Sequence, residues 1–338
     1  MTSHIIDPTG EVTIILQDAD APFAVWDEET PATNESPSSG TIEPIEEIHN
    51  DKTDETKCED KEVRYQVSAK HLTLASPVFK AALSDAWKEG STLPQGSAEI
   101  EVHGWDSQAL LVMLSILHWQ IDALPGKVGI EFLTKIVILA DYYGCLSVIK
   151  VFGWGWFKLM QSSIPNEYSR DLMMWLCASG LLGEREVYER LAVIAIKGSK
   201  DIIMTLGLPF PSSMIEHLNT NRERVIQGIV DSLHSAVDSL ARFNSNNAAP
   251  STPSDSCTAC NAIKLGTLMM AMRSLSLWPK PQPPFCGLSF GGIRASIKST
   301  REKEFKLQNH GRCRSLATML TYLDTSSWSR MNQSIKAD

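Results

Sequence analysis

The chain has 338 residues, 43% of them hydrophobic and 21% charged, enough to bury the cores of two ordinary domains. The formal net charge of −9 and a pI near 5.4 argue against a phosphate-binding surface, so no nucleic-acid partner is expected. The sequence opens Met1-Thr-Ser-His-Ile-Ile-Asp7, with neither the basic nor the apolar part of a secretory signal. Its longest apolar stretch, Ala109–Leu117, falls short of a membrane span, so no membrane partner is expected either. Seven cysteines, an odd number, point to a reducing compartment, cytoplasm or nucleus, and to free or metal-bound thiols.

In chain order, Glu11–Gln17 is a β-branched run that predicts a strand. From Asp20 to Glu62, fourteen acidic residues stand against three lysines among Pro, Ser, Thr and Asn. Such a stretch cannot bury enough apolar surface to offset its ordering entropy and reads as an acidic, disordered insertion over 20–62. Ile42, Ile45 and Ile48 within it share the spacing of one helical turn, although a solvated linker is the plainer reading. Val63–Val67 predicts a second strand, and Ser76 before Pro77 predicts a capped helix start. Ala98–Val102 alternates as a third strand. Asp106 suits the cap of a helix reaching Trp119 and apolar almost all round. Helical spacing continues through Gly129–Tyr143, closing near Gly144, and through Leu146–Met160, where Trp154 and Trp156 suit a core or an interface.

Beyond 162–165 the pattern turns mainly helical: Asp171–Leu182, Glu184–Lys197 and Arg222–Phe243 are the clearest helices. The last carries Val225, Ile226, Ile229, Val230, Leu233, Ala236, Val237 and Leu240 on one face, a stripe suited to a bundle. A linker follows at 244–256, then a Cys-containing segment over 257–338 with helices near Ala262–Ser276 and Ser315–Leu323.

Val67-Ser-Ala-Lys-His-Leu-Thr-Leu-Ala-Ser-Pro-Val-Phe79 resembles the most diagnostic motif of the BTB/POZ family. Gly10-Glu-Val-Thr-Ile-Ile-Leu16, Ala86-Trp-Lys-Glu-Gly90, Ile116-Leu-His-Trp119 and Leu139-Ala-Asp-Tyr-Tyr-Gly-Cys-Leu146 are similar to that family's opening strand, a following turn and two helix ends. The likeness covers about 10–160. It departs from the family in Glu11 where Asp is usual, in Ser68 where His is common, and in the acidic insertion between strands normally joined by a tight hairpin. Downstream, Cys257-x-x-Cys260, Gly266-x-Leu268 and the Trp278-Pro279 and Gly287-Leu-Ser289 segments resemble the C-terminal region of many filamentous-fungal BTB proteins.

The resemblance implies an α+β fold: a BTB/POZ domain over 1–160, with a small three-stranded sheet and a helical cluster, then a helical extension over 161–243. It further implies a non-catalytic adaptor that homodimerises through Val12, Ile14, Leu72, Leu74, Val78, Phe79 and Leu83, exposed in a monomer. A cullin-type ubiquitin-ligase scaffold is a second implied partner, at the surface near Ala109–Asp122.

Other chemistry is weighed residue by residue. Cys257, Cys260, His310 and Cys313 form two pairs, each with two intervening residues, supplying three thiolates and one imidazole, a set suited to tetrahedral zinc. Structural zinc, unliganded thiols and a redox pair all stay open at this point, Cys286 being a spare ligand. With zinc, the runner-up function is a transcription- or chromatin-associated regulator. Gly287-Leu-Ser289-Phe-Gly291 matches the nucleophile elbow of hydrolases, but the Pro-rich residues before it cannot form the strand that mechanism needs. It reads as a turn. His71, His103 and His118 read as packed or surface imidazoles, and Arg222-Glu-Arg224 and Arg294–Lys306 as solvated basic faces.

Overall fold

The computed structural model describes residues 2–26, 62–84, 97–245 and 258–302. It is α+β, and the chain divides into two compact units, Met1–Phe157 and Lys158–Asp338.

The first unit is organised by one sheet. Strands β1 (Thr2–Ile5), β2 (Val12–Gln17), β3 (Val63–Val67) and β4 (Ala98–His103) lie in the order β1-β3-β2-β4. β2 runs antiparallel to β3, and β4 runs parallel to β2, with Val12 opposite Val67 and Ala98. The period of two along each strand therefore stacks apolar rows across the sheet: Val12/Val67/Ala98, Ile14/Tyr65/Ile100 and Leu16/Val63/Val102, all buried.

The sheet has four strands rather than the expected three. β1 pairs parallel with β3, Thr2 facing Val63 and Ile5 facing Gln66. Its side chains are mostly exposed, so it owes its strand state to backbone pairing and leaves no alternation to read. The acidic insertion also begins later than expected. Asp20 donates its amide to Trp105 O at 3.0 Å and caps Ser107 N at 2.8 Å, and Ala24 is buried. Residues 27–61 of the insertion, including Ile42, Ile45 and Ile48, and the Ala86–Gly90 turn lie outside the described residues.

Between β3 and β4 the chain forms α1 (Ala69–Ala75) and α2 (Pro77–Ala82). α3 (Ser107–Leu117) follows, capped by Asp106 Oδ1 accepting from Ala109 N at 2.9 Å, and is buried nearly all round, as its apolar composition requires. It stops two residues before Trp119, which takes a left-handed φ of 59°. α4 (Ile130–Tyr142) and α5 (Leu146–Leu159) complete the cluster, α3 and α4 packing together.

The second unit is helical among its described residues: α6 (Arg170–Leu182), α7 (Arg185–Gly198), α8 (Ser212–Ser245), α9 (Thr258–Ser274) and α10 (Phe290–Glu302). Ile226, Ile229, Val230, Leu233, Val237 and Leu240 form the buried face of α8. That helix starts ten residues before Arg222 and runs into the stretch read as linker. Its first turns hold Asn219 and Asn221, poor helix formers, and tertiary bonds outweigh that propensity: Asn219 Oδ1 accepts from Ile203 N at 2.8 Å, while its Nδ2 donates to Ile203 O at 3.3 Å. α9 begins four residues earlier than expected, and the helix near Ser315–Leu323 lies outside the described residues.

Candidate interaction surface

The α1–α2 hairpin is set by a short chain of specific contacts. Ser76 Oγ accepts from Phe79 N at 3.0 Å, capping α2 where Pro77 opens it, and its hydroxyl donates to Tyr143 O at 2.5 Å. The Phe79 ring stacks on Tyr143 with centroids 4.5 Å apart and planes 7° from parallel. Gly144 follows with φ of +66°, and a Cβ there would meet Pro77 Cγ at 2.8 Å. Burial among these groups pushes the Tyr143 phenol above its ordinary value. The Ala-Ser-Pro-x-Phe and Tyr-Tyr-Gly runs, read separately in the sequence, are thus one packing unit. Gly10 is a similar case, since a Cβ there would approach Val67 O to 2.4 Å.

Burial corrects the expected interface. Val12, Ile14, Leu72, Phe79 and Leu83 are core residues of the first unit, because strand alternation and the helical hairpin turn them inward. They are not exposed in the single chain. Leu74, 88% exposed, and Val78, 40% exposed, lie on the outer side of α1 and α2 and are the two of the seven that present apolar surface.

The stretch offered to a cullin-type scaffold is likewise mostly interior. Ala109, Leu110 and Val112–His118 are buried, Leu111 is half-buried, and the exposed part of the stretch is Trp119–Asp122, with Trp119 72% exposed. Its ring meets Phe152 of α5 edge-on at 6.5 Å. Trp156 is buried and donates Nε1–H to Pro125 O at 2.9 Å, whereas Trp154 is half-exposed.

Sequence spacing hides one cluster. His118 is buried at the end of α3; its Nδ1 lies 2.8 Å from Leu114 O, and its Nε2 lies 2.9 Å from Ser68 N at the start of α1. His71 of α1 packs against it, ring centroids 4.9 Å apart. The two rings come from different helices, so no periodicity within one helix relates them. His103 is exposed, with Nδ1 3.6 Å from Asp18 Oδ2.

In the second unit the solvated-face reading of Arg222 is wrong. It is 1% exposed. Its Nε donates to Ser199 O at 3.3 Å, Nη1 to Pro284 O at 2.7 Å, and Nη2 to Lys200 O at 2.5 Å, Leu288 O at 2.9 Å and Phe285 O at 3.0 Å. Two of these carbonyls lie just past the C-terminus of α7, where the helix dipole favours a cation. Burial lowers the guanidinium pKa, Asp201 opposing, yet the group stays charged. The sequence shows only a basic residue on a helix; carbonyls from two separate loops make it interior.

Ser289 Oγ accepts from Gly292 N at 3.1 Å and starts α10, preceded by turns and no strand. It is a helix cap. Of the zinc candidates, Cys260 stands in the first turn of α9, while Cys257, His310 and Cys313 lie outside the described residues. Among the described residues no three His, Cys, Asp or Glu side chains are grouped to hold a metal, and no helix is long and apolar enough to cross a membrane. Burial pushes the Cys145 thiol up to about 12, which leaves it a packed hydrophobe beside Met113. No family model matches the chain, and no curated protein does.

Proposed function

We propose that the protein is a non-catalytic, homodimerising interaction module of the BTB/POZ type. The observation that carries the reading is topological. An antiparallel β2–β3 pair is followed by the α1–α2 hairpin and then by β4, parallel to β2, with Leu72 and Phe79 of the diagnostic motif in the core. That is the element order which the motifs imply, and the Ser76–Tyr143, Pro77–Gly144 and Phe79–Tyr143 contacts give each motif residue a physical task. Exposed Leu74 and Val78 on the hairpin supply apolar surface for a self-complementary contact, since a two-fold interface brings the same patch from each copy.

Sedimentation or light scattering of the purified chain tests this directly. The expected particle has twice the 37.4 kDa chain mass. The double variant Leu74→Asp/Val78→Asp should return to the single-chain mass with its helical content and cooperative melt retained and its melting temperature lowered by no more than the lost association, because both side chains already present surface. A wild type that stays at the single-chain mass at tens of micromolar, or a double variant that remains dimeric, removes the reading.

A further inference from the structure

The bonding around His118 settles its protonation state. Leu114 O can only accept, so Nδ1 carries the proton that it receives at 2.8 Å; Ser68 N–H can only donate, so Nε2 accepts it at 2.9 Å. The neutral Nδ1–H ring therefore ties the last turn of α3 to the residue preceding α1. Any second proton must go onto Nε2, where it faces an amide hydrogen and ends that bond. Among the described residues two titratable groups act on this ring. His71 of α1 lies against it, and Asp7, in the turn between β1 and β2, is close enough to act on both imidazoles. Asp7 is itself engaged by Thr9, whose amide and hydroxyl donate to Oδ1 at 2.9 and 2.8 Å. Protonated, the His118 ring stands about 5 Å from the His71 imidazole, with Asp7 as the carboxylate that acts on both rings.

We propose that the His71–His118 pair is a pH-sensitive latch on α1, closed while His118 is neutral and released on acidification. Leu74 sits at the far end of the same helix, fully outward, so release loosens the support of the dimer face. That consequence rests on the dimer reading above; the latch itself does not. The direction of the pH effect follows from burial, which with the His71 charge holds the His118 pKa below its ordinary 6.5. The unfolded or unlatched chain then binds the proton first. The stabilisation is complete above about pH 6.5 and drains away as pH falls through the lower folded value.

Hydrogen exchange of the α1 amides in the full chain, corrected for the intrinsic pH dependence of exchange, reads the latch at pH 7.5 and at pH 5. Protection over residues 69–75 should fall about tenfold for each unit by which the folded imidazole lies below its unfolded value. In His118→Gln the side-chain amide serves both partners without titrating, and protection should be flat with pH. His71→Asn, at an exposed position, should keep the latch but shrink the fall. Wild-type protection that does not change with pH overturns the proposal, as does a His118→Gln chain that retains the full fall. Should His118→Gln fail to fold, His71→Asn decides: an undiminished fall there rules out the pair. The dimer dissociation constant, measured in parallel, should rise on acidification in the wild type. A chain monomeric at both pH values refutes the dimer reading alone, because the exchange data still report on α1.

Discussion

At the scale of single residues, burial separates groups that look alike in the sequence. Arg222 and Arg224 are two residues apart, yet Arg222 is interior and Arg224 Nη1 donates to Asn221 Oδ1 at 2.8 Å. Arg222→Ala would take a donor from five carbonyls, of which Phe285 O keeps the Leu288 amide and three are only part-buried, and a buried acceptor left without a donor costs about 1–3 kcal/mol before relaxation. A net loss on the order of 3–5 kcal/mol is expected from urea midpoints. Arg222→Lys should recover only part of it, because an ammonium lacks the planar fork. Lys197 gives a pH-dependent counterpart. Burial, reinforced by Arg294, lowers its pKa to about 8. Between pH 8 and 10.5 the unfolded chain holds more protons than the folded one, so stability rises with pH across that window. Lys197→Met should therefore raise the melting temperature at pH 7, and the gain should shrink towards zero as the pH approaches 10.5.

At the scale of elements, α2 is six residues long and cannot persist on propensity alone. It depends on Ser76, which caps it and ties it to the end of α4 through Tyr143 O. Ser76→Ala removes the cap and strands a buried carbonyl. A loss of about 1–3 kcal/mol is expected, read as a lower urea midpoint with an unchanged slope. α8 shows the opposite balance. Thirty-four residues and a continuous apolar stripe make it evident in outline, while its start depends on Pro211 and on the Asn219 bonds to Ile203 rather than on the stripe.

At the scale of the whole molecule, the division into Met1–Phe157 and Lys158–Asp338 predicts two calorimetric transitions, since separate cores need not melt together. Ser76→Ala should lower one transition and Arg222→Ala the other; a single transition that both variants lower equally would contradict separate cores. By itself the amino-acid sequence determined the pattern-bearing elements: β2 and β4 from alternation, α3 from its apolar run behind Asp106, and the α8 stripe, because periods of 2 and 3.6 are local properties of the chain. It also set the turn chemistry at Ser76, Pro77 and Gly144. Only the tertiary structure decided which apolar residues face outward. Leu72 and Leu74 are indistinguishable by type, and the helix turns one into the core and the other to water. The same holds for β1, the His71–His118 contact and the interior Arg222, whose partners come from distant parts of the chain and leave no spacing to read.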